Sequence, residues 1–187
     1  GERVDSLVLM GIGEPLDNYD NVIRFLRLLT DPKGYNLGQR HISLSTCGLV
    51  DRIYDLAKED LGITLSISLH APDNETRNKT MPVNRRWPVE QLMQACRDYF
   101  RTTGRRISFE YALIKGVNDS PADAQKLAKL LDGMICHVNL IPVNPVKERG
   151  YDRTAQQDIR RFVDTLGRLG VNATVRRELG SDINAAC

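Results

Sequence analysis

Ile63-Thr64-Leu65-Ser66-Ile67-Ser68-Leu69 alternates apolar and polar side chains with a period of two, the pattern of a β-strand whose two faces meet different surroundings. It runs into His70-Ala71-Pro72. The alternation recurs in His41-Ile42-Ser43-Leu44-Ser45-Thr46, at Ser108 and Glu110 within 106–113, and at His137 and Asn139 within 136–141. Parallel strands covered by helices on both faces read instead as nearly continuous apolar runs. One face of this sheet therefore looks onto something polar, and Glu110 and Asn139 would fill a tight barrel interior awkwardly. A curved sheet or partial barrel, with helices outside and a polar ligand within, fits better than a doubly wound sheet.

The stretches between these strands are helical. Val22, Phe25, Leu26 and Leu29 recur at helical spacing after the apolar run Leu7-Val8-Leu9-Met10, and Asp31-Pro32-Lys33-Gly34 ends that helix. A second helix is expected over about 51–59. The polar connection from Asp73 to Trp87 reads as a long loop, of the kind that is functional or mobile. Pro88 opens a helix with Val89, Leu92, Met93, Cys96, Tyr99 and Phe100 on one stripe, which places Cys96 in the core. Ser120 as N-cap and Pro121 at the first position start a helix bearing Ala124, Leu127, Ala128 and Leu131. Thr154 and Gln157 form a capping box for a helix with Ile159, Phe162, Val163, Leu166 and Leu169, and a last strand covers 171–176. Strand–helix alternation throughout means parallel pairing with right-handed crossovers.

The 187 residues, 41% hydrophobic and 27% charged, suit one globular domain with a real core. No apolar run approaches the roughly 18 residues that cross a bilayer, and the N-terminal stretch lacks a leader pattern, so the expectation is a cytoplasmic protein with no membrane partner. Cys47, Cys96, Cys136 and Cys187 have no local metal-ligand spacing, and a disulfide framework is not expected. The net charge of +2 does not announce a nucleic acid. Several of the pairs Arg85-Arg86, Arg105-Arg106, Arg160-Arg161 and Arg176-Arg177 fall at strand or helix ends, where a shared face could hold phosphates.

The C-terminal ends of parallel strands share one rim, and loops on that rim carry the chemistry of such folds. It collects Gly13 and Glu14 from Met10-Gly11-Ile12-Gly13-Glu14-Pro15, then Ser45, Ser68-Leu69-His70 and Asn144. The glycines let backbone approach a ligand, and a half-buried Glu14 is suited to a cation such as a ligand ammonium. With no nucleophile–base pair and no metal triad, the set reads as a binding site for a polar zwitterionic cofactor.

Six stretches in order resemble the RlmN-type radical-SAM methyltransferases: 11–18, Ser45-Thr46-Cys47-Gly48, 66–72, Lys115-Gly116-Val117-Asn118-Asp119, 139–145 and the terminal Asp182-Ile183-Asn184-Ala185-Ala186-Cys187. The resemblance covers essentially the whole chain and implies an α/β fold, the partial (βα)6 radical-SAM barrel of parallel strands. It implies that 1–187 is a catalytic-barrel segment whose first strand, CxxxCxxC cluster loop, second catalytic cysteine and N-terminal RNA-binding region lie upstream of Gly1. On the matching positions, Gly13, Glu14, Ser45, Ser68, Leu69, His70 and Asn144 would contact S-adenosylmethionine, with Glu14 facing its ammonium. Cys187 would be the catalytic cysteine that is itself methylated. The 4Fe-4S cluster's ligands would lie outside this segment, which alone would be inactive, and an external donor would reduce the cluster. The family's partners are ribosomal RNA and, for some members, tRNA, methylated at carbon 2 of an adenine. A related resistance-type enzyme methylating carbon 8, or a non-catalytic RNA- or cofactor-binding module, are the alternatives.

Overall fold

The computed structural model describes residues 4–143 and 152–176. Among them are six strands: β1 (Leu7–Leu9), β2 (Ile42–Thr46), β3 (Thr64–Ser68), β4 (Ile107–Leu113), β5 (Cys136–Pro142) and β6 (Ala173–Val175). They pair in parallel in the order β1-β2-β3-β4-β5-β6. Because each strand neighbours the next in sequence, right-handed crossovers carry the connecting helices to one face of the sheet. These are α1 (Tyr19–Thr30), α2 (Val50–Ala57), α3 (Asn74–Thr80), α4 (Val89–Thr103), α5 (Pro121–Leu130) and α6 (Gln156–Arg168). A doubly wound sheet reverses its order part-way and covers both faces; this one does not, as the polar alternation predicts.

The helix-facing side is the core. Ile42, Leu44, Leu65, Ile67, Phe109, Tyr111, Val138 and Leu140 are fully buried against Leu26, Ile53, Leu92, Cys96, Leu127 and Leu166. The other side carries Ser43, Ser45, Ser66, Ser68, Ser108, Glu110, His137, Asn139 and Thr174. The sheet curls about this polar side: Arg176, just past β6, brings Nη1 to 4.0 Å from Sδ of Met10, just past β1. The outermost strands of the sheet thus approach at their C-terminal ends, although no ladder joins them among the described residues.

Four sequence expectations need correction. The stretch from Asp73 to Trp87 is not a loop: Asp73 caps α3 by accepting from Thr76 N–H, and a 3-10 turn, Pro82–Arg85, follows. In the first helix Leu26 is buried and Val22 and Leu29 pack against the core as read, but Phe25 is 42% exposed and Tyr19 and Ile23 are buried in its stead. No capping box starts α6: its N-cap is Ala155, and the Thr154 hydroxyl donates to Asp119 Oδ2 at 2.8 Å. The arginine pairs do not share a face, since Arg105-Arg106 precede β4 whereas Arg85-Arg86 follow β3 and Arg176 follows β6.

Candidate cofactor site

The rim gathers the predicted side chains from β1, β2 and β3. The chain leaves β1 through Gly11 and Gly13 with φ of +126° and +89°, which L side chains rarely adopt, while space around both is open. Conformation, not crowding, requires glycine there. Glu14, half-buried, caps the 3-10 helix Pro15–Asn18: its Oε1 accepts from Leu16 N–H at 3.1 Å, and its Oε2 accepts from Cys47 N–H at 2.7 Å. A carboxylate offers about four lone-pair sites, so two such bonds leave acceptors for a cation. Ser45 and Ser68 face each other from β2 and β3, Oγ to Oγ 3.5 Å.

The Ser68-Leu69-His70 run divides its labour. The Leu69 side chain is fully buried in the core, so only its backbone belongs to the rim. The N–H groups of Leu69 and His70 both donate to the carbonyl of Glu110, at 3.0 and 3.2 Å. His70 sits at φ +55°, a left-handed conformation that a non-glycine residue holds only when its surroundings impose it. Its Nδ1 accepts from Ala112 N–H at 3.0 Å, and its carbonyl accepts from Asn118 Nδ2 at 2.9 Å. Burial, and then the Arg77 guanidinium, push the imidazole down to about 4. His70 is therefore neutral at pH 7, with Nε2 carrying the proton.

Deeper in the polar interior, Glu110 is 6% exposed and accepts from Asn139 Nδ2 at 2.8 Å; burial raises its carboxyl above the usual range. Ser68, Glu110, Asn139 and Thr174 are register partners across β3 to β6, one continuous polar row. Two residues to which the sequence reading gave no role in the site, Arg77 and Asn118 of the 115–119 stretch, hold this rim together. Arg77 of α3 is fully buried with its guanidinium on carbonyls of both strand ends. Asn118, fully buried, donates to the His70 and Ala112 carbonyls and accepts from Ile114 N–H. Asn144, Arg177 and Cys187 lie outside the described residues.

The donor set fits S-adenosylmethionine: a half-buried carboxylate with free lone pairs, two facing hydroxyls and a buried polar row are what a zwitterionic nucleoside requires. It does not fit an iron–sulfur cluster. Among the described residues no three His, Cys, Asp or Glu side chains converge. Burial pushes the thiols of Cys47 and Cys96 up to about 12 and that of Cys136 up to about 11, so none is a ready thiolate. No helix among the described residues is long and apolar enough to cross a membrane.

The profile of the Radical SAM superfamily matches residues 2–130. The chain belongs to the radical SAM superfamily. A curated relative of this superfamily member, named "Probable dual-specificity RNA methyltransferase RlmN", from Clostridium novyi (strain NT), is 57% identical over 186 residues, covering 100% of this chain and 54% of the relative. The crystal structure of a radical SAM methyltransferase from Sphaerobacter thermophilus is similar at 47% identity with a TM-score of 0.95, over 100% of this chain and 55% of that one. Streptococcus suis SuiB bound to S-adenosylmethionine shares the fold at 16% identity, with a TM-score of 0.68 over 92% of this chain and 39% of SuiB. The chain thus spans about half the length of the curated relatives it matches.

Proposed function

We propose that the protein carrying this chain is an RlmN-type RNA methyltransferase that methylates carbon 2 of an adenine in 23S ribosomal RNA and in tRNA, in the cytoplasm. The observation that carries this reading is 57% identity to a relative of that name across the whole chain, with glycine loop, carboxylate, hydroxyls and imidazole on one rim. S-adenosylmethionine, when bound, supplies the methyl group and the adenosyl group of the chemistry. Glu14 would hold its ammonium, and the backbone at Gly13 would lie against its aminoacyl end. Ser45, Ser68 and Asn144 would offer hydrogen bonds, and neutral His70 would donate from Nε2. The polar row at Glu110 and Asn139 excludes apolar ligands from the interior.

Carbon 2 of adenine is electrophilic and has no lone pair to offer, so direct displacement of a methyl group by it is closed. A cysteine sulfur can accept a methyl group and later leave, which is the role assigned to Cys187. The cluster's ligands would lie outside this segment, and its reductant would be an external donor.

The test uses full-length protein prepared anaerobically with iron, S-adenosylmethionine and ribosomal RNA. Nucleoside analysis is expected to find 2-methyladenosine, and the peptide ending in Cys187 to carry one extra methyl group. 8-Methyladenosine would move the protein to the carbon-8 reaction. An unmodified RNA and an unmodified Cys187 in a sample that binds both ligands would replace the enzyme with a binding module.

A further inference from the structure

Among the described residues Arg77 is a buried cation without an anion. Its side chain is fully buried, and among the described residues no carboxylate forms an ion pair with it. Burial lowers its pKa to about 10, which leaves it charged at pH 7. A lone buried charge is destabilising unless hydrogen bonds replace its hydration, and here every replacement is a neutral acceptor, three of them carbonyls on the rim. Nε donates to the Leu69 carbonyl at 3.1 Å and Nη2 to the carbonyls of Cys47 at 2.7 Å and Ser68 at 3.2 Å. Nη1 donates to Asn84 Oδ1 at 3.0 Å. Asn84 in turn donates to Asn74 and Asn78, and Asn74 accepts from Val89 N–H at the start of α4, so the guanidinium is anchored from behind.

What it grips is informative. Cys47 is held from both sides, its N–H by Glu14 and its carbonyl by Arg77. The Leu69 carbonyl belongs to the peptide that leads into left-handed His70. Gly48 lies beside the guanidinium, where a Cβ would crowd Leu92 Cδ1 at 3.0 Å but meet Arg77 Nη2 only at an ordinary contact distance of 3.4 Å. A residue needed only for burial at this place would be apolar.

We infer that Arg77 is a positioning residue of the cofactor site, fixing through the carbonyls of Cys47, Ser68 and Leu69 the ends of β2 and β3, of which the first holds Glu14 through Cys47 N–H and the second presents Ser68 and His70. It touches no ligand and acts through backbone. The inference rests on the reading of the rim as the S-adenosylmethionine site. Lysine keeps the charge but cannot fork between two strands; methionine loses both.

The experiment compares wild type, Arg77→Lys and Arg77→Met in the full-length protein, well below each melting temperature. S-adenosylmethionine affinity is measured by calorimetry and the His70 imidazole titration by NMR. Both variants are expected to bind about ten- to a hundredfold more weakly, as loss of supporting contacts around a site commonly does. His70 is expected to titrate at about 4 in wild type; it stays low in Arg77→Lys and rises in Arg77→Met, where the neighbouring cation is gone. Wild-type affinity in Arg77→Lys would overturn the inference. A wild type that fails to bind S-adenosylmethionine would overturn the cofactor reading instead. If neither variant folds, hydrogen exchange at Arg77 Nε–H of the wild type decides: protection up to global unfolding supports the clamp, and exchange at the rate of a solvated arginine refutes it.

Discussion

A carboxyl buried as Glu110 is, with one amide donor from Asn139, is held in the fold at a cost whenever it is ionised. Burial raises its pKa above 4.5, so the folded state keeps its proton to higher pH than the unfolded chain, and stability is lost as pH rises through the folded value; Arg176 offsets part of this. Glu110→Gln is therefore expected to raise the Tm at pH 7.5. The gain should vanish near pH 3.5, about one unit below the unfolded value of 4.5, where the carboxyl is protonated in both states. Thermal unfolding at the two pH values checks this, and an unchanged or lower Tm at pH 7.5 contradicts it. His70 has the opposite dependence. With a folded pKa of about 4 against 6.5 unfolded, the unfolded state takes up the proton first, so stability falls as pH drops between these values, by about 3 kcal/mol. Urea midpoints followed from pH 7 to 4 are expected to fall less steeply in His70→Gln than in wild type. Glu110 was legible in the sequence because a carboxylate interrupts an apolar run. Arg77 was not: its acceptors are mostly backbone carbonyls 8, 9 and 30 residues away, which no side-chain pattern marks.

At the scale of elements, the loop after β4 is tied to the end of β3 by Asn118, whose amide bridges the carbonyls of His70 and Ala112 while its Oδ1 takes Ile114 N–H. Asn118→Ala leaves those three backbone groups unpaired. Each buried group left unsatisfied costs about 1–3 kcal/mol, so a loss of at least 2 kcal/mol is expected in equilibrium unfolding, with faster amide exchange at residues 70 and 112. A loss below 0.5 kcal/mol would mean that water replaces the amide without penalty. The Ser120 capping box is a contrasting, purely local device: Asp123 N–H donates to Ser120 Oγ, and Ser120 N–H donates to Asp123 Oδ2, both at 3.1 Å. Ser120→Ala is expected to cost about 1 kcal/mol and to leave S-adenosylmethionine binding unchanged. The same locality explains which elements the sequence revealed. Ser120 was readable because cap and partner lie within four residues. Thr154 followed the same local pattern, but its hydroxyl is claimed by Asp119, 35 residues earlier. The polar helix α3 forms on its Asp73 cap and on burial of Arg77, which composition does not disclose.

For the molecule as a whole, sequential strand order leaves one sheet face free of helices, and curvature turns that face into a polar interior with its ligand groups at one rim. Glu14, Ser45, Ser68 and His70 come from three βα units, so a ligand that bridges them links units the sheet alone joins edge to edge. Binding to the folded state alone stabilises it by mass action, about 2.7 kcal/mol at a hundredfold excess over Kd. For a domain of this size that corresponds to roughly 5–10 °C in Tm. Because the rim groups come from separate βα units that meet at Glu14 with Cys47 and at Arg77 with Cys47 and Ser68, the gain in hydrogen-exchange protection is expected where those units meet, at residues 13–14, 47–48 and 68–70. S-adenosylmethionine-dependent exchange measured by mass spectrometry on the full-length protein separates the alternatives. Protection concentrated at these three segments ties the ligand to the rim, whereas a rise in Tm with no local change there would put the binding site on another part of the protein.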